Sequence, residues 1–269
     1  MKKLGFIGAG NMAAAIIGGM INAGVAVHSD IITSDADVAR LEFIAQKYRV
    51  ETTQSNIEVA QTSDIIFLSV KPYIYDAVIS EIRGVTKTDA LVIILAGGVS
   101  IAAARTKFNT DVKLIKTMPN TPAMVNCGMT AICAAENVTP DELEPILEIF
   151  NSIGKTEILP ERLFDVFTAL AGSSPAYAFM FIEAMADAGV KHGLSRKQAI
   201  EISTQALLGA AKLLQETGEH PATLRDAVCT PGGTTIAAVC EFEAKGFRNA
   251  IISAVDACTN KYNKLQECH

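Results

Sequence analysis

The sequence predicts an α/β protein, a doubly wound parallel sheet over residues 1–160 followed by an all-helical domain over residues 161–269. Three observations lead there. Short apolar runs alternate with helical stretches in the first part, as in a parallel sheet covered by helices. A glycine-rich turn, Gly8-Ala9-Gly10, separates the first apolar run from the first helical stretch. After Pro160 only long helical stretches follow, which places the domain boundary near Glu161.

Strands are expected at Leu4–Ile7, Ile31–Thr33, Ile65–Val70, Leu91–Leu95 and Val112–Lys116, each a short apolar run. Helices fall between them at Asn11–Asn22, Val38–Lys47, Tyr73–Arg83 and Ile101–Lys107. Met129–Cys133 adds a further strand. Thr139-Pro140-Asp141-Glu142 is a capping box with proline at the first helical position, opening a helix to about Ser152. In the second part, helices are expected at Ala176–His192, Arg196–Glu216, Thr235–Ala244 and Phe247–Lys264. Ser195 with Gln198 makes a second capping box, and Gly193 and Gly218 stand where helices stop. Ala178-Phe179-Met180-Phe181-Ile182 is apolar on more than one helical face. A small lone domain cannot bury such a helix, so a subunit interface and a homodimer or higher homo-oligomer are expected.

Composition narrows the function classes. Hydrophobic residues make up 49% and charged residues 19%, which is globular and not disordered. The net charge of −6 includes no basic block, so no nucleic-acid partner is expected. Cys127, Cys133, Cys229, Cys240, Cys258 and Cys268 form no C-x-x-C pair and have no histidine at metal spacing. A reduced, cytoplasmic protein without a metal follows. Cys229 is expected as a small packed residue and not a nucleophile. His28 precedes a strand, His192 ends a helix, His220 marks a loop and His269 closes the chain; none is assigned catalysis. Lys2-Lys3 before the uncharged run Leu4 to Val27 imitates a signal peptide or a membrane span. Its six glycines and two asparagines fit a strand–turn–helix unit instead, so no membrane partner is expected.

The chemistry begins at Gly8-x-Gly10-x-x-Ala13. The first glycine permits the tight turn, the second lets backbone approach a pyrophosphate, and Ala13 allows close helix-on-strand packing. The helix start then faces the phosphates, a Rossmann-type dinucleotide site. The second strand ends in Thr33-Ser34-Asp35-Ala36-Asp37, with Arg40 a turn later. An acid there suits a free 2′-hydroxyl, whereas a hydroxyl and an arginine suit a 2′-phosphate. Both signals are present, and these residues leave NADPH and NADH open. Lys71, at a strand's carboxyl end, faces either a phosphate, the substrate or solvent. Ala96-Gly97-Gly98 and Met118-Pro119-Asn120-Thr121-Pro122 leave strand ends on the expected nicotinamide side.

Thr230-Pro231-Gly232-Gly233-Thr234-Thr235 supplies the second site. A rigid turn runs straight into a helix, so free backbone amides and two hydroxyls collect at one helix start, a seat for a small carboxylate.

The chain resembles pyrroline-5-carboxylate reductase from Lys3 to about Leu265. Gly5–Met12, Val70-Lys71-Pro72, Met118–Pro122, Gly172–Tyr177 and Thr230–Thr235 carry the resemblance, the last most specifically. It implies reduction of 1-pyrroline-5-carboxylate to L-proline by NADPH or NADH, the last step of proline biosynthesis, in an intertwined dimer joined through the helical domain. By position, Thr230, Gly233, Thr234 and Thr235 would hold the substrate, with Glu161 at its edge. Gly8, Gly10, Asn11, Met12, Ser34, Asp35, Asn56, Val70, Lys71 and Ala96 would touch the cofactor. Ala36 stands where many relatives have arginine, which weakens a strong preference for the 2′-phosphate. Ser174 replaces a usual glycine and stiffens its turn.

The implied reaction is physically economical. A protonated cyclic imine is already electrophilic, so placement matters more than acid–base apparatus. The Thr235 hydroxyl is assigned a hydrogen bond to the ring nitrogen or its water. Two rivals stand beside this reading. A hydroxyacid dehydrogenase would carry a lysine early in the second domain's first helix, and Ser174 to Val190 contains none. A nucleotide sensor without turnover would tolerate loss of Thr234 and Thr235, yet both are present.

Overall fold

The computed structural model describes residues 2–108 and 111–266; Cys268 and His269 lie outside the described residues. Its first strand, β1 (Leu4–Ile7), is buried along its whole length. It turns through the glycines into α1 (Asn11–Asn22), and β2 (Ile31–Ser34), α2 (Val38–Tyr48), β3 (Glu51–Thr53) and α3 (Asn56–Thr62) follow. Next come β4 (Ile65–Leu68), α4 (Tyr75–Ile82), β5 (Leu91–Ile94), α5 (Ile101–Phe108) and β6 (Lys113–Met118). The sheet is completed by β7 (Gly128–Ala134), α6 (Pro140–Asn151) and β8 (Gly154–Ile158), in the order β3-β2-β1-β4-β5-β6-β7-β8. β1, β4 and β5 are apolar runs because helices cover both faces of a parallel sheet.

On one face Phe6, Phe67 and Phe150 lie at the centre of the core, Phe6 stacked on Phe67 with ring centroids 4.4 Å apart. On the other face, Ile66, Leu68, Val92 and Ile94 pack with Tyr75, Ile79 and Ile82 of α4. Each such burial contributes roughly 1.5–3 kcal/mol.

The sheet is not wholly parallel. β7 runs antiparallel to β6, while β8 is parallel to β7. The short connection between β6 and β7 holds only a 3-10 turn, Thr121–Val125, and a parallel return needs a longer crossover. The sequence pattern missed β3 and β8, the two edges, whose polar residues lack an apolar signature. It also missed α3, although Ser55 accepts the Glu58 N–H as its cap.

The chain packs as two compact units. One compact unit runs to Ser173 and takes up the chain again from Cys258; the other is Ser174–Ala257. The segment after Pro160 forms α7 (Phe164–Phe167) and a wide turn, Thr168–Gly172. Phe164 and Phe167 are buried with Ala131, against Met118, Met129 and Tyr262. These contacts make residues 161–173 part of the first unit's core.

The second unit contains α8 (Ser174–Lys191), α9 (Arg196–Thr217), α10 (Pro221–Val228), α11 (Thr234–Ala244) and the start of α12 (Phe247–Gln266). His220 marks the start of α10 and not a loop: its Nδ1 accepts the Ala222 N–H at 3.2 Å, and Pro221 takes the first helical position. Among the described residues the buried side chains of this unit are Ala186, Ala199 and Ser203. Larger apolar groups are left outside, Phe179 and Met180 being 67% and 68% exposed.

Candidate active site

The first group of functional residues meets at the carboxyl edge of the sheet. β1 pairs with β2 on one side and β4 on the other, so the chain changes direction across the sheet at this strand. Such a switch point leaves a crevice beyond the strand ends. Gly8 closes β1 with φ +104, and a methyl group there would meet the Ser69 carbonyl oxygen at 2.7 Å. The turn is therefore pressed against β4 and needs glycine. The Gly8 N–H donates to Ser34 O at 2.7 Å, and the Ser69 hydroxyl donates to Gly8 O at 3.1 Å. Gly10 is different: a methyl group added to it would touch nothing within 4 Å. It precedes α1 without any side-chain cap, so the first amides of the helix face open space. That bare helix start behind a tight turn fits a pyrophosphate.

At the end of β2, Ser34 is buried and donates its hydroxyl to Asn56 Oδ1 at 2.7 Å. Asn56 Nδ2 donates onward to Glu81 at 2.8 Å. Asp35 accepts the Ala9 N–H on Oδ2 at 2.8 Å and the Asp37 N–H on Oδ1 at 2.9 Å. Arg40, 59% exposed, lies 3.8 Å from Asp35 and 3.4 Å from Asp37. Val70 and exposed Lys71 follow β4, and buried Ala96 follows β5. Between those strands Tyr75 does work that the sequence did not signal. Its buried hydroxyl donates to Leu68 O at 2.5 Å and accepts the Leu95 N–H at 3.0 Å. Burial pushes that phenol well above its ordinary range, so it remains a neutral brace. The structure thus gathers Gly8, Gly10, Asn11, Met12, Ser34, Asp35, Asn56, Val70, Lys71 and Ala96 along neighbouring strand ends.

Glu161 belongs to the same unit, where its carboxylate is engaged with Lys116 at 2.9 Å and with the Ile101 N–H at 3.0 Å. Lys116 is buried and was read from sequence only as part of a strand. A lysine between apolar neighbours, Leu114-Ile115-Lys116-Thr117-Met118, was the available signal. Nearby Cys133 pairs with Lys116 across the strands, and burial followed by the Glu161 charge raises its thiol pKa. Asn120 was named only as part of a motif. Its Nδ2 donates to Ala171 O and its Oδ1 accepts the Met129 N–H, both at 2.9 Å.

The second group lies in the helical unit. Gly232 takes φ +67, and the Gly233 N–H donates to Thr230 O at 3.0 Å, closing the turn. A methyl group on Gly233 would meet the Thr230 hydroxyl oxygen at 2.3 Å, so the turn is as tight as its glycines allow. Gly233 starts α11 with no side-chain cap, and the first helical bond is made by the Ala237 N–H. The amides of Thr234, Thr235 and Ile236 therefore precede the ladder. Among the described residues no group of His, Cys, Asp or Glu is arranged to hold a metal. No helix there is long and apolar enough to cross a membrane.

Comparison with known proteins identifies the family of the chain. A family model described as pyrroline-5-carboxylate reductase dimerisation matches residues 161–265. A second, described as NADP oxidoreductase, coenzyme F420-dependent, matches residues 3–97. The chain is 44% identical to the pyrroline-5-carboxylate reductase of Escherichia coli over 266 residues, covering 99% of both. Among solved structures, a pyrroline-5-carboxylate reductase from Coxiella burnetii superposes with TM-score 0.93 at 33% identity over 98% of each chain. The Plasmodium falciparum pyrroline carboxylate reductase, solved with NADP bound, gives TM-score 0.88 at 30% identity, again over 98% of each chain. Matched from the glycine turn to the last helix, the chain belongs to the pyrroline-5-carboxylate reductase family.

Proposed function

We infer that this chain reduces 1-pyrroline-5-carboxylate to L-proline with a reduced nicotinamide dinucleotide, closing proline biosynthesis. The bare start of α11 behind Gly232-Gly233 carries the substrate half of this reading. It offers the Thr234 and Thr235 amides to the substrate carboxylate, with Thr230 closing the turn. The Thr235 hydroxyl is assigned to the ring nitrogen or its water. Bound nicotinamide supplies the hydride that the imine carbon accepts. The chain's contribution is placement, worth roughly 7–11 kcal/mol in well-oriented reactions.

NADPH is the preferred cofactor in this reading, with NADH accepted. Gly8, Gly10, Asn11 and Met12 take the pyrophosphate side, and Ser34, Asp35 and Asn56 the adenosine ribose. Val70, Lys71 and Ala96 continue the site along the sheet edge. Both Asp35 carboxylate oxygens already accept backbone N–H groups, while exposed Arg40 remains to meet a 2′-phosphate.

The protein acts as a homodimer or larger homo-oligomer joined through the helical unit. That unit shields only small side chains by itself and exposes Phe179 and Met180. The test is direct: pyrroline-5-carboxylate added to purified protein and NADPH will consume the reduced cofactor and yield proline. Absence of turnover with both cofactors refutes the assignment.

A further inference from the structure

One oxygen of Glu161 serves two donors. Its Oε1 is 2.9 Å from Lys116 Nζ and 3.0 Å from the backbone nitrogen of Ile101. Ile101 is the first residue of α5, directly after the Ala96–Ser100 segment that leaves β5. Lys116 lies near the end of β6, just before the Met118–Pro122 segment. A single carboxylate therefore joins the far end of the first segment, where it enters α5, to the strand from which the second leaves, β5 and β6 being adjacent and parallel.

Those two segments also touch each other near their starts. A methyl group on Gly97 would lie 3.1 Å from both Met118 Sδ and Met118 Cε. Asn120 ties the second segment to Ala171 and Met129. The Tyr262 hydroxyl donates to the Gly97 carbonyl from above the first. Stability alone is a weak reason for the ion pair. The Lys116 side chain is fully shielded, its ammonium 5.1 Å from the centre of the Phe164 ring. Desolvation offsets much of the attraction in such a pair, and an apolar replacement is often neutral.

We propose that Lys116 and Glu161 are positioning residues for the nicotinamide, setting the spacing of the Ala96–Ser100 and Met118–Pro122 segments beside which the ring is held. The inference rests on the reductase reading above and moves Glu161 from the substrate's edge to this role. The glycine turn and the end of β2 grip the other end of the dinucleotide. Loss of the pair therefore disturbs hydride transfer more than cofactor binding.

The decisive variant is the double replacement Lys116→Met/Glu161→Gln. It removes both charges together and keeps an acceptor for the Ile101 N–H. Lys116→Arg preserves the pair with a different cation. Turnover, NADPH affinity, thermal midpoint and the fluorescence of bound NADPH are measured on each. The double variant is expected to fold, to bind NADPH within about threefold of the parent, and to lose about 10- to 100-fold in kcat. Its bound NADPH will fluoresce differently from the parent's, and the arginine variant will keep most of the turnover. A folded double variant with parental kcat and fluorescence overturns the proposal. So does a joint loss of thermal midpoint, NADPH affinity and kcat, which marks a purely structural pair. A parent protein with no turnover refutes the reaction instead, and the fluorescence comparison still reads the pair.

Discussion

Asp35 accepts the backbone N–H of Ala9 at 2.8 Å, so the acid that ends β2 also holds the glycine turn that ends β1. Its carboxylate is thereby part of the turn before any ribose arrives. Asp35→Ala will weaken NADH and NADPH alike, by about tenfold for one charge-assisted hydrogen bond. Arg40→Ala will instead raise KM for NADPH alone, about tenfold, and leave NADH nearly unchanged. Steady-state kinetics with both cofactors separates the two residues. Equal effects of Arg40→Ala on both cofactors would remove it from the 2′-phosphate.

The two glycines of the turn separate folding from binding. Gly8→Ala forces a methyl group at φ +104 within 2.7 Å of the Ser69 carbonyl oxygen. It will cost more than about 2 kcal/mol in a denaturant titration. At Gly10 the backbone is extended, with φ −76 and ψ −176, and a methyl group meets nothing within 4 Å. Gly10→Ala will therefore keep its stability within about 0.5 kcal/mol. Its Kd for NADPH will rise at least about tenfold, because the methyl group fills the approach of the pyrophosphate. Unchanged NADPH binding would show that the dinucleotide does not cross this turn.

Thr235, the second residue of α11, carries the hydroxyl assigned above to the ring nitrogen or its water. Thr235→Ala will lower kcat by about 10- to 100-fold while KM for the cofactor stays put, and Thr235→Ser will recover most of the loss. An alanine variant as fast as the parent would leave the ring nitrogen to another donor.

Legibility followed burial and local chemistry. β1 and α1 were recognisable to the residue because an apolar run meets a glycine turn at both levels. α6 and α9 were signalled by Thr139 with Glu142 and by Ser195 with Gln198, caps that are present in the fold. The edge strands were not, since Glu51-Thr52-Thr53 needs only one partner and no apolar face. Phe164 and Phe167 look helical in sequence, yet their packing with Ala131 in the first unit's core is a tertiary fact. In the site, glycines and threonines announced themselves by spacing. Lys116, Tyr75 and Asn120 act through partners 45, 20 and 51 residues away, which no local pattern encodes.

Acid sensitivity has an identifiable contributor. Asp64 accepts from Lys87 Nζ at 2.7 Å and from the Lys3 N–H at 2.8 Å, and these bonds hold its carboxyl below the free value of 3.8. A depressed folded pKa gives stability that is complete above the unfolded value and lost as pH falls through the folded one. The pair is partly exposed, so its effect is under about 1 kcal/mol. Asp64→Asn will lower the thermal midpoint at neutral pH, and the gap from the parent will begin to close as pH drops below 3.8 and vanish below the depressed folded pKa. A gap that persists unchanged into stronger acid would assign the effect to packing.

Phe179 and Met180 offer a test of the proposed assembly. They occupy adjacent positions on α8 with 67% and 68% of their surfaces exposed in the single chain, in a unit whose buried side chains among the described residues are two alanines and a serine. Exposing both to water forfeits roughly 1.5–3 kcal/mol per side chain that a second copy would recover. Phe179→Asp/Met180→Lys will therefore shift the protein toward monomer in sedimentation velocity. The nucleotide-binding unit keeps its own core, so the monomer will still bind NADPH. The helical unit, deprived of cover, will exchange its amide hydrogens much faster than the sheet. If the variant sediments like the parent, another face joins the subunits, and the exposed pair on α8 is no part of that interface.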